Sequence, residues 1–508
     1  MPEAGQGSPR LKLGLVIHNH QPVGNFPSVF VLAYEQAYLP MIDALERHPS
    51  IRISLHYSGP LLDWIRANRP RFIPRVAALV SRGQVEIVGG GYYEPILPSI
   101  PDSDKLGQIG MMADFCMEHF GQRPEGLWLA ERVWEPSLPV YLAGAGVKWT
   151  VVDDTHFKMV GLEDSDLHGY FITEDQGYPL KVFSTSKFLR YSIPFKPVEE
   201  IIAHLRRTAS SDDERIAVMG DDGEKFGVWP QTWEHCWGKG AWVEQFFTAL
   251  EENSNWLVTM TPGEFARQFP PAGRIYLPCA SYDEMLEWAL PYRKSQEFVD
   301  IKHEIEAEDH ADIAGFLRGG YWRHFAVKYP EVNWMHKKML RVHAKVERAL
   351  RQKGIASGQD DLWKAQCNCP YWHGVFGGLY LADIRAATYQ HLIEAEQQAD
   401  SAVRGDGAWI YAEKADLDID GHDELVVDGS SFGLAFSPRQ GGALVEWDLH
   451  RPSFNVLSTV ARRPEAYHAK MLEALSGGAG VSGAGSETIH SGIKLKSPGL
   501  ARLLAYDR

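Results

Sequence analysis

Short runs of apolar residues alternate with longer amphipathic stretches over the first two-thirds of the chain. The apolar runs are rich in Val, Ile and Leu, and the stretches between them have helical periodicity, the pattern of parallel strands covered by helices on both faces. These runs predict an α/β fold built as a (β/α) barrel or a close variant. The predicted strands span residues 11–20, 51–59, 84–91, 126–132, 148–154, 215–227 and 256–262.

Most of the predicted strands end in polar, titratable residues. In a parallel barrel the carboxyl ends of all strands meet at one face, where the loops build active sites. We therefore expect these side chains to lie close together. They are His18, His20, His56, Glu86, Glu131, Asp153, Asp154, Asp221 and Asp222.

Helical periodicity replaces the strand pattern after about residue 290, most clearly in residues 335–354 and 384–400. After a linker-like segment, residues 424–449 alternate polar and apolar positions and have Gly and Ser at turn spacing, which predicts a β-rich module. Residues 476–486 are typical of a flexible loop, and the end of the chain predicts another strand. We expect this β module to be truncated. The predicted domains are a catalytic barrel, 10–290, a helical domain, 291–400, and a partial β-sandwich, 408–508.

Two carboxylate motifs lie at predicted strand ends. WLAERVWEP places Glu131 between Trp128 and Trp134, and MGDDGEKFGVWP places Asp222 at the end of a later strand. Glycoside transfer needs two carboxyl groups in different environments, one ionised for attack and one protonated to donate a proton. Glu131 and Asp222 are therefore candidates for catalysis. For their neighbours Asp221 and Glu224, a capping or ion-pair role is as plausible as a substrate contact.

The motif HNHQP contains His18 and His20, separated by one residue. Two such side chains on a strand point to the same side, so they could bind a metal or hydrogen-bond the hydroxyls of a sugar, and the spacing alone does not decide. GQVEIVGGG contains Glu86 and three consecutive glycines, which let a ligand or backbone approach closely. We expect Glu86 to bind substrate or to support the residues that do.

Two later motifs have a less definite chemistry. CNCPYWHGVFGG lacks a second cysteine pair, so we expect no zinc there, and Tyr371, Trp372 and His373 fit a lid or a sugar platform better. DLDIDGHDE begins like a calcium loop, but its twelfth position is Val427 and not the Glu of an EF-hand. A solvated acidic turn and a structural calcium site outside the EF-hand pattern are the two alternatives.

Composition and charge exclude several kinds of partner. The 508 residues have a net charge of −15 and no basic block, so we expect no nucleic acid. We expect no membrane either, because no apolar run is long enough to span one. The five cysteines are too few and too scattered for a disulfide framework, and the start lacks a signal peptide, so we expect a reducing, cytoplasmic location. Sixteen Trp and twenty Tyr could stack on sugar rings.

Five segments, taken in order, resemble the motifs of glycoside hydrolase family 57, and most closely its 4-α-glucanotransferases and α-amylase-like members. They are HNHQP, GQVEI, WLAERVWEP, DDGEKFGVWP and YWHGVFGG. The resemblance covers nearly the whole chain. It implies an incomplete (β/α)7 barrel, a helical region and a C-terminal β-sandwich.

The resemblance also implies roles for individual residues. Glu131 matches the family's nucleophile and Asp222 its general acid/base, in a double displacement that needs no metal or other cofactor. The matching residues of the substrate site are His18, His20, Glu86, Trp128 and Trp229. At Cys369 the chain departs from the Asp that the glucanotransferases usually have, which bears on recognition of the substrate or acceptor.

The expected function is therefore a retaining 4-α-glucanotransferase that acts on an α-glucan or maltooligosaccharide. An α-amylase with the same carboxylates is the nearest alternative, because water can replace the sugar acceptor. More distant alternatives are a metal-dependent deacetylase or mannosidase that uses His18 and His20, and a non-catalytic glucan-binding homologue. The sequence leaves the oligomeric state open, a homo-oligomer included.

Overall fold

The computed structural model describes residues 10–211, 214–307, 311–374, 377–465 and 468. These residues divide into two compact units. The first extends to Asp283 and includes Gly315–Leu317, and the second comprises Glu284–Ala314 and the chain from Arg318 onwards. The helical region and the β module, which we predicted as separate domains, lie in one compact unit.

Seven parallel strands form a closed barrel in the first unit, which confirms the predicted fold. Each strand pairs with the next one along the chain, and the last strand also pairs with the first, which closes the ring. The last two strands are joined through the residue pair of Thr185 and Val218. The barrel strands are β1 (Leu11–Asn19), β2 (Ile53–Tyr57), β3 (Val85–Gly89), β4 (Gly126–Leu127), β5 (Trp149–Asp153), β7 (Tyr178–Thr185) and β8 (Ile216–Asp222). Three further strands extend the sheet: β6 (Tyr170–Asp175), β9 (Leu257–Thr259) and β10 (Gly273–Arg274).

One of the predicted barrel strands is wrong. The last predicted strand, 256–262, forms β9, which pairs with β1 beside the closed ring. The barrel strand that was not predicted is β7, the second arm of an antiparallel hairpin with β6. Strand β4 has only two residues, because the chain after Leu127 leaves the sheet to form the turn that contains Glu131.

Burial on both faces accounts for the near-continuous apolar strands. All nine residues of β1 are buried. The apolar core includes Val16, Trp149, Val151 and Phe183 from three different strands.

Amphipathic helices cover this barrel. In residues 198–208, for example, acidic residues occupy the first turn and arginines the last, which complements the helix dipole. The helices of the first unit are α1 (Pro27–Ala33), α2 (Leu39–Arg47), α3 (Gly59–Asn68), α4 (Phe72–Ser81), α5 (Asp102–Phe120), α6 (Leu138–Gly144), α7 (Asp154–Lys158), α8 (Lys187–Ser192), α9 (Val198–Thr208), α10 (Thr232–Cys236), α11 (Trp242–Glu252) and α12 (Pro262–Gln268).

The second unit begins with helices and ends in a sheet. Its longest helix starts at Pro330, a residue favoured in the first turn, and ends before Gly354, whose φ of 71° suits a helix end. The helices from Asp283 onwards are α13 (Asp283–Trp288), α14 (Tyr292–Ala307), α15 (Ala311–Ala314), α16 (Phe325–Lys328), α17 (Pro330–Lys353), α18 (Gln359–Lys364) and α19 (Ala382–Arg404).

A five-stranded antiparallel sheet follows, with its strands in chain order. Its inner face is charged: Lys338 of α17 lies 2.9 Å from Glu446 and 2.5 Å from Asp448. Lys345 of the same helix lies 2.9 Å from Asp428. The strands are β11 (Ile410–Ala415), β12 (Glu424–Gly429), β13 (Phe432–Ser437), β14 (Ala443–Leu449) and β15 (Phe454–Asn455).

Two predicted features, the flexible loop at 476–486 and the final strand, lie outside the described residues. None of the described helices combines the length and the apolar character needed to cross a bilayer.

Candidate active site

Three neighbouring strands bring polar side chains to the same level at the carboxyl end of the barrel. In the sheet register, His18 of β1 pairs with His56 of β2 on one side and with Asp222 of β8 on the other. The ring of His18 also stacks on Trp128, with centroids 4.6 Å apart and planes 7° from parallel. The observed register thus places three titratable groups side by side, as expected for parallel strands whose carboxyl ends meet at one face.

Glu94, in the connection between β3 and α5, lies between the two histidines of HNHQP. Its Oε1 is 2.9 Å from Nε2 of His18, and its Oε2 contacts Nδ1 of His20. Nδ1 of His18 lies 2.8 Å from Nδ1 of His56. Both ring nitrogens of His18 are therefore occupied by protein atoms, which favours a positioning role over a metal-ligand role.

The charges of this group depend on one another. Burial alone would raise the pKa of Glu94, but His18 and His20 outweigh it and hold that pKa well below its usual range. Burial alone would lower the pKa of His18, but the Glu94 carboxylate raises it. Burial lowers the pKa of His56 well below its usual value. A cationic His18 can therefore donate one proton to neutral His56 and the other to Glu94.

Glu224 follows Asp222 by two residues and faces β1. It accepts a hydrogen bond from the backbone N–H of His20 at 2.9 Å and another from the hydroxyl of Tyr38. Burial, followed by the charge of Asp222, raises the pKa of Glu224 to about 7. These contacts hold its carboxyl group in place and make it a hydrogen-bond acceptor for the loop after β1.

Glu131 lies in a short turn just after β4. Its φ of 51° and that of Arg132, 48°, are both left-handed, a conformation that costs a residue other than glycine about 1–3 kcal/mol. The surroundings hold this backbone in place: Ser281 donates a hydrogen bond to the carbonyl of Glu131, and Trp134 N–H donates to the carbonyl of Ala280 at 2.9 Å. Strain of this kind is a feature of functional sites.

The carboxylate of Glu131 has a neutral donor and a cation beside it. The hydroxyl of Tyr282 donates a hydrogen bond of 2.7 Å to Oε2 of Glu131. The guanidinium of Arg132 lies 4.5 Å from the centre of the Tyr282 ring, and that of Arg190 lies 4.9 Å from it. Burial raises the pKa of Glu131, Arg132 opposes this, and the charge of Asp222 adds to the rise.

A buried ion network lies beside Asp222. Asp221 accepts a hydrogen bond of 2.8 Å from the fully buried Nζ of Lys225, and Nε of Arg190 lies 3.6 Å away. The backbone N–H of Asp222 donates to Asp221 at 2.9 Å. Burial, followed by the charge of Asp221, raises the pKa of Asp222, whereas Lys225 and Arg190 hold that of Asp221 below its usual range against burial.

Glu86 does not belong to this group, and its predicted place at a strand end was wrong. It is the second residue of β3, near the amino end of the strand. Its Oε2 accepts hydrogen bonds from Ser54 at 3.0 Å and from the backbone N–H of Gly263, at the start of α12, at 3.3 Å. The pattern of the sequence showed that Glu86 lies in a strand, but the pairing of that strand decides which end it occupies.

The other predicted substrate contacts have mixed surroundings. Trp229, in the loop after β8, is half-buried and stacks on Phe195 with centroids 6.0 Å apart. Tyr371, Trp372 and His373 belong to the second unit. There the hydroxyl of Tyr371 donates to the carbonyl of Ala365 at 2.7 Å, and Trp372 stacks on Trp288.

Sequence reasoning missed Glu94 and Tyr282. Glu94 stands three residues after the triple glycine of the second motif and has a φ of 55°, so the glycine-rich turn was the available signal. Tyr282 lies in a connection with neither strand nor helix periodicity, and no signal in the sequence pointed to it.

The acidic loop of the second unit also has the donors for a cation. Carboxylate oxygens of Asp416, Asp418 and Glu424 lie within 4.8 Å of one another. Asp420 of the same loop pairs with Arg439. Oxygen donors at this spacing fit calcium, and a structural calcium stays a prediction.

Profiles of three protein families match successive parts of the chain. The profile of glycosyl hydrolase family 57 matches residues 14–278. Profiles of the middle and C-terminal domains of alpha-amylase/4-alpha-glucanotransferase match residues 320–399 and 416–508. The first match contains all of the side chains at the carboxyl end of the barrel except Tyr282 and Ser281.

Individual relatives are similar over most of the chain. Alpha-amylase 1 of Dictyoglomus thermophilum is 43% identical over 97% of this chain and 70% of its own length. A 4-alpha-glucanotransferase of Thermococcus kodakarensis is 41% identical over 97% of this chain and 72% of its own. The crystal structure of the 4-alpha-glucanotransferase of Thermococcus litoralis, 40% identical, aligns with a TM-score of 0.85 over 91% of this chain and 70% of that one.

Proposed function

Because the chain belongs to glycosyl hydrolase family 57, we propose that it is a retaining 4-α-glucanotransferase with Glu131 as nucleophile and Asp222 as general acid/base. The observation that carries this proposal is the different surroundings of the two carboxyl groups. Glu131 has a hydroxyl donor and an arginine beside it, which favour an ionised nucleophile. Asp222 lies next to the ion-paired carboxylate of Asp221, which favours a protonated acid.

In the first step, a carboxylate oxygen of Glu131 forms a bond to C1 of the donor glucosyl unit as the bond from C1 to the leaving oxygen breaks. Asp222 transfers its proton to that oxygen, so the shortened glucan leaves as a neutral alcohol. After this transfer Asp222 is negatively charged, and the nearby cationic ring of His18 stabilises that charge. The products are a glycosyl ester on Glu131 and an ionised Asp222.

In the second step, ionised Asp222 removes the proton from the 4-hydroxyl of an acceptor glucan. The acceptor oxygen bonds to C1, the ester bond breaks, and Glu131 returns to its carboxylate form. Two inversions at C1 give net retention. Asp222 ends protonated, and the enzyme is ready for another donor.

The residues around the pair fit binding of a sugar hydroxyl or ring. His18 and His20 are oriented by Glu94, and the indole of Trp128 packs against His18. Trp229 is a half-buried aromatic ring in the loop after β8. We assign His20, Trp128 and Trp229 to the donor glucan, because polar edges and aromatic faces together bind sugars, and His18 to the positioning of these neighbours.

The test is the reaction of maltotriose with wild type, Glu131→Gln and Asp222→Asn. Wild type should produce longer and shorter maltooligosaccharides without a matching rise in reducing ends. Each variant should lose about three orders of magnitude or more of the rate. Glu86→Gln serves as a comparison, because its carboxyl group lies away from the pair. A Glu131→Gln variant that disproportionates maltotriose normally contradicts the assignment.

An α-amylase is the second candidate, favoured by the name of the relative from Dictyoglomus thermophilum. The same two carboxylates then use water as the acceptor. A steady rise in reducing ends during the maltotriose reaction, with no longer products, would establish hydrolysis. The catalytic pair would keep its roles in either outcome.

The cellular location and the assembly are separate proposals. We propose a cytoplasmic enzyme, supported by five cysteines that are too scattered for a disulfide framework. Cell fractionation would test the location, and light scattering would show whether the chain forms a homo-oligomer.

A further inference from the structure

We infer that Tyr282 is a positioning residue for Glu131: it holds one oxygen of the carboxylate and leaves the other for attack. This inference rests on the proposed role of Glu131 as the nucleophile. The hydroxyl of Tyr282 donates a 2.7 Å hydrogen bond to Oε2. A bond between a hydroxyl and a carboxylate at this length is charge-assisted and stronger than one between neutral groups. Oε1 is then the oxygen that reacts with C1.

The ring of Tyr282 is held by its surroundings. It is 4% exposed, and the guanidinium groups of Arg132 and Arg190 lie 4.5 and 4.9 Å from its centre. Cations at these distances are attracted to an aromatic ring and restrict its movement. The same positive charges make the phenol a better donor. Tyr282 therefore meets the carboxylate from a fixed direction.

The segment that contains Tyr282 also fixes the backbone of the nucleophile. Its neighbour Ser281 donates a hydrogen bond to the carbonyl of Glu131. Ala280 and Trp134 are joined by backbone hydrogen bonds in both directions. Three consecutive residues thus hold the left-handed turn at Glu131. Ala280 and Ser281 bind the main chain of the turn, and Tyr282 binds the carboxylate.

The hydrogen bond has a consequence for each half of the reaction. While Oε1 forms the bond to C1, the negative charge of the carboxylate is withdrawn, and the bond from Tyr282 to Oε2 weakens. When the ester breaks, charge returns to the carboxylate and the same bond strengthens. Tyr282 therefore favours the ionised nucleophile before attack and stabilises Glu131 as the leaving group afterwards.

The charged and titratable groups that face Glu131 come from several elements. They are Arg132 on its own turn, Asp222 at the end of β8, Glu94 in the connection after β3, and Tyr282. Substitution of Tyr282 by Phe changes only the hydrogen bond and leaves the three charges in place. The ionisation of Glu131 should then require a higher pH, so the acid limb of the pH–rate profile moves upwards.

The test compares Tyr282→Phe with Tyr170→Phe. Tyr170 is also a buried tyrosine of the first unit, but its hydroxyl donates to the backbone carbonyl of Phe269. Tyr282→Phe should lose about ten- to a hundredfold in kcat, the range for a lost hydrogen bond to a charged group, and its acid limb should shift upwards. Tyr170→Phe should keep the wild-type limb. Tyr282→His retains a donor and should recover part of the rate.

A donor with a good leaving group separates the roles further. With α-maltosyl fluoride, which needs little protonation to depart, Asp222→Asn should recover its glycosylation rate, whereas turnover by Tyr282→Phe should remain slow because Glu131 is still the leaving group of the second step. An unshifted acid limb, or wild-type turnover of the fluoride by Tyr282→Phe, would overturn the inference. If Glu131→Gln also turns over both donors normally, the proposed function itself fails, so the two failures are distinct.

Discussion

The buried ammonium of Lys225 donates a hydrogen bond of 2.8 Å to the carboxylate of Asp221, the residue just before the proposed acid/base. Because this pair keeps Asp221 ionised, a negative charge stands beside Asp222 throughout the reaction. That charge makes Asp222 harder to ionise and so extends the pH range in which it can act as an acid. The neighbouring carboxylates of DDGEK therefore have different tasks, one as a fixed charge and the other as a proton donor.

Asp221→Asn should lower the pKa of Asp222, because the charge that raises it is gone. Activity falls as Asp222 loses its proton, so the basic limb of the pH–rate profile should move to lower pH. The substitution also leaves the buried Lys225 without a counter-ion, which should cost about 3–5 kcal/mol of unfolding free energy.

The double variant Asp221→Leu with Lys225→Met provides the control for stability. It removes both charges and should regain much of the lost unfolding free energy, although the basic limb should remain shifted. A basic limb that stays at the wild-type position in both variants would contradict the electrostatic role of Asp221.

Glu94→Gln should reduce stability most at mildly acidic pH. The folded pKa of Glu94 lies below its unfolded value, so its contribution is present above about pH 4.3 and is lost as the pH falls through the folded pKa. The folded pKa of His18 is raised, so its contribution is complete below about pH 6.5 and is lost as the pH rises through the folded value. The variant should lose about 3–5 kcal/mol between these limits and less at pH values above the folded pKa of His18.

Urea unfolding at several pH values measures this difference directly. Glu35→Gln is a suitable control, since Glu35 is an exposed residue 3.4 Å from Arg69. A loss for Glu94→Gln that does not change with pH would mean that the carboxylate is not paired with a cationic His18.

Lys338→Met should destabilise the second unit. Lys338 is buried among Glu446, Asp448 and, at 3.6 Å, Glu396, so its substitution removes the cation that Glu446 and Asp448 share, whereas Glu396 keeps Lys345 at 2.6 Å. The expected cost is about 3–5 kcal/mol of unfolding free energy. Lys337→Met changes the adjacent, half-buried lysine and should cost much less. Equal losses in the two variants, measured by urea unfolding, would show that the network contributes little.

Removal of divalent metals by EDTA should leave the transfer rate unchanged, because both steps use carboxyl groups for the chemistry. Loss of activity that zinc or calcium restores would instead favour metal-dependent chemistry. A structural calcium is tested separately by thermal unfolding: added calcium should raise Tm, and Asp418→Asn should abolish that rise. A Tm that does not respond to calcium would support a solvated acidic turn.

Much of the barrel could be predicted because its strands are covered on both faces. Six of its seven strands are apolar runs that end near His18, His56, Glu131, Asp153 or Asp222, or in the triple glycine. Strand β7 escaped prediction because Pro179 and Lys181 interrupt its apolar pattern. It also pairs with β6 in a tight hairpin on one side and with β5 on the other, and neither pairing leaves a periodic signal in the sequence.

The site was less predictable than the fold. Strand ends indicated Glu131 and Asp222, because parallel topology gathers such ends at one face. Glu94 and Tyr282 come from connections, whose positions depend on packing and not on periodicity. Glu86 shows the converse limitation: its strand was recognised, but its contacts with Ser54 and Gly263 depend on where β3 starts and on a helix far away in the chain.

The closure of the barrel between β7 and β8 rests on the single residue pair of Thr185 and Val218. Side chains continue the connection: Arg190, just after β7, lies 3.6 Å from both Asp153 of β5 and Asp221 of β8. This seam should therefore separate before the rest of the barrel when the protein is heated. Since β8 ends in Asp222, catalytic activity should be lost on heating before the circular dichroism signal of the helices. The highest temperature at which the enzyme works would then be set by this seam.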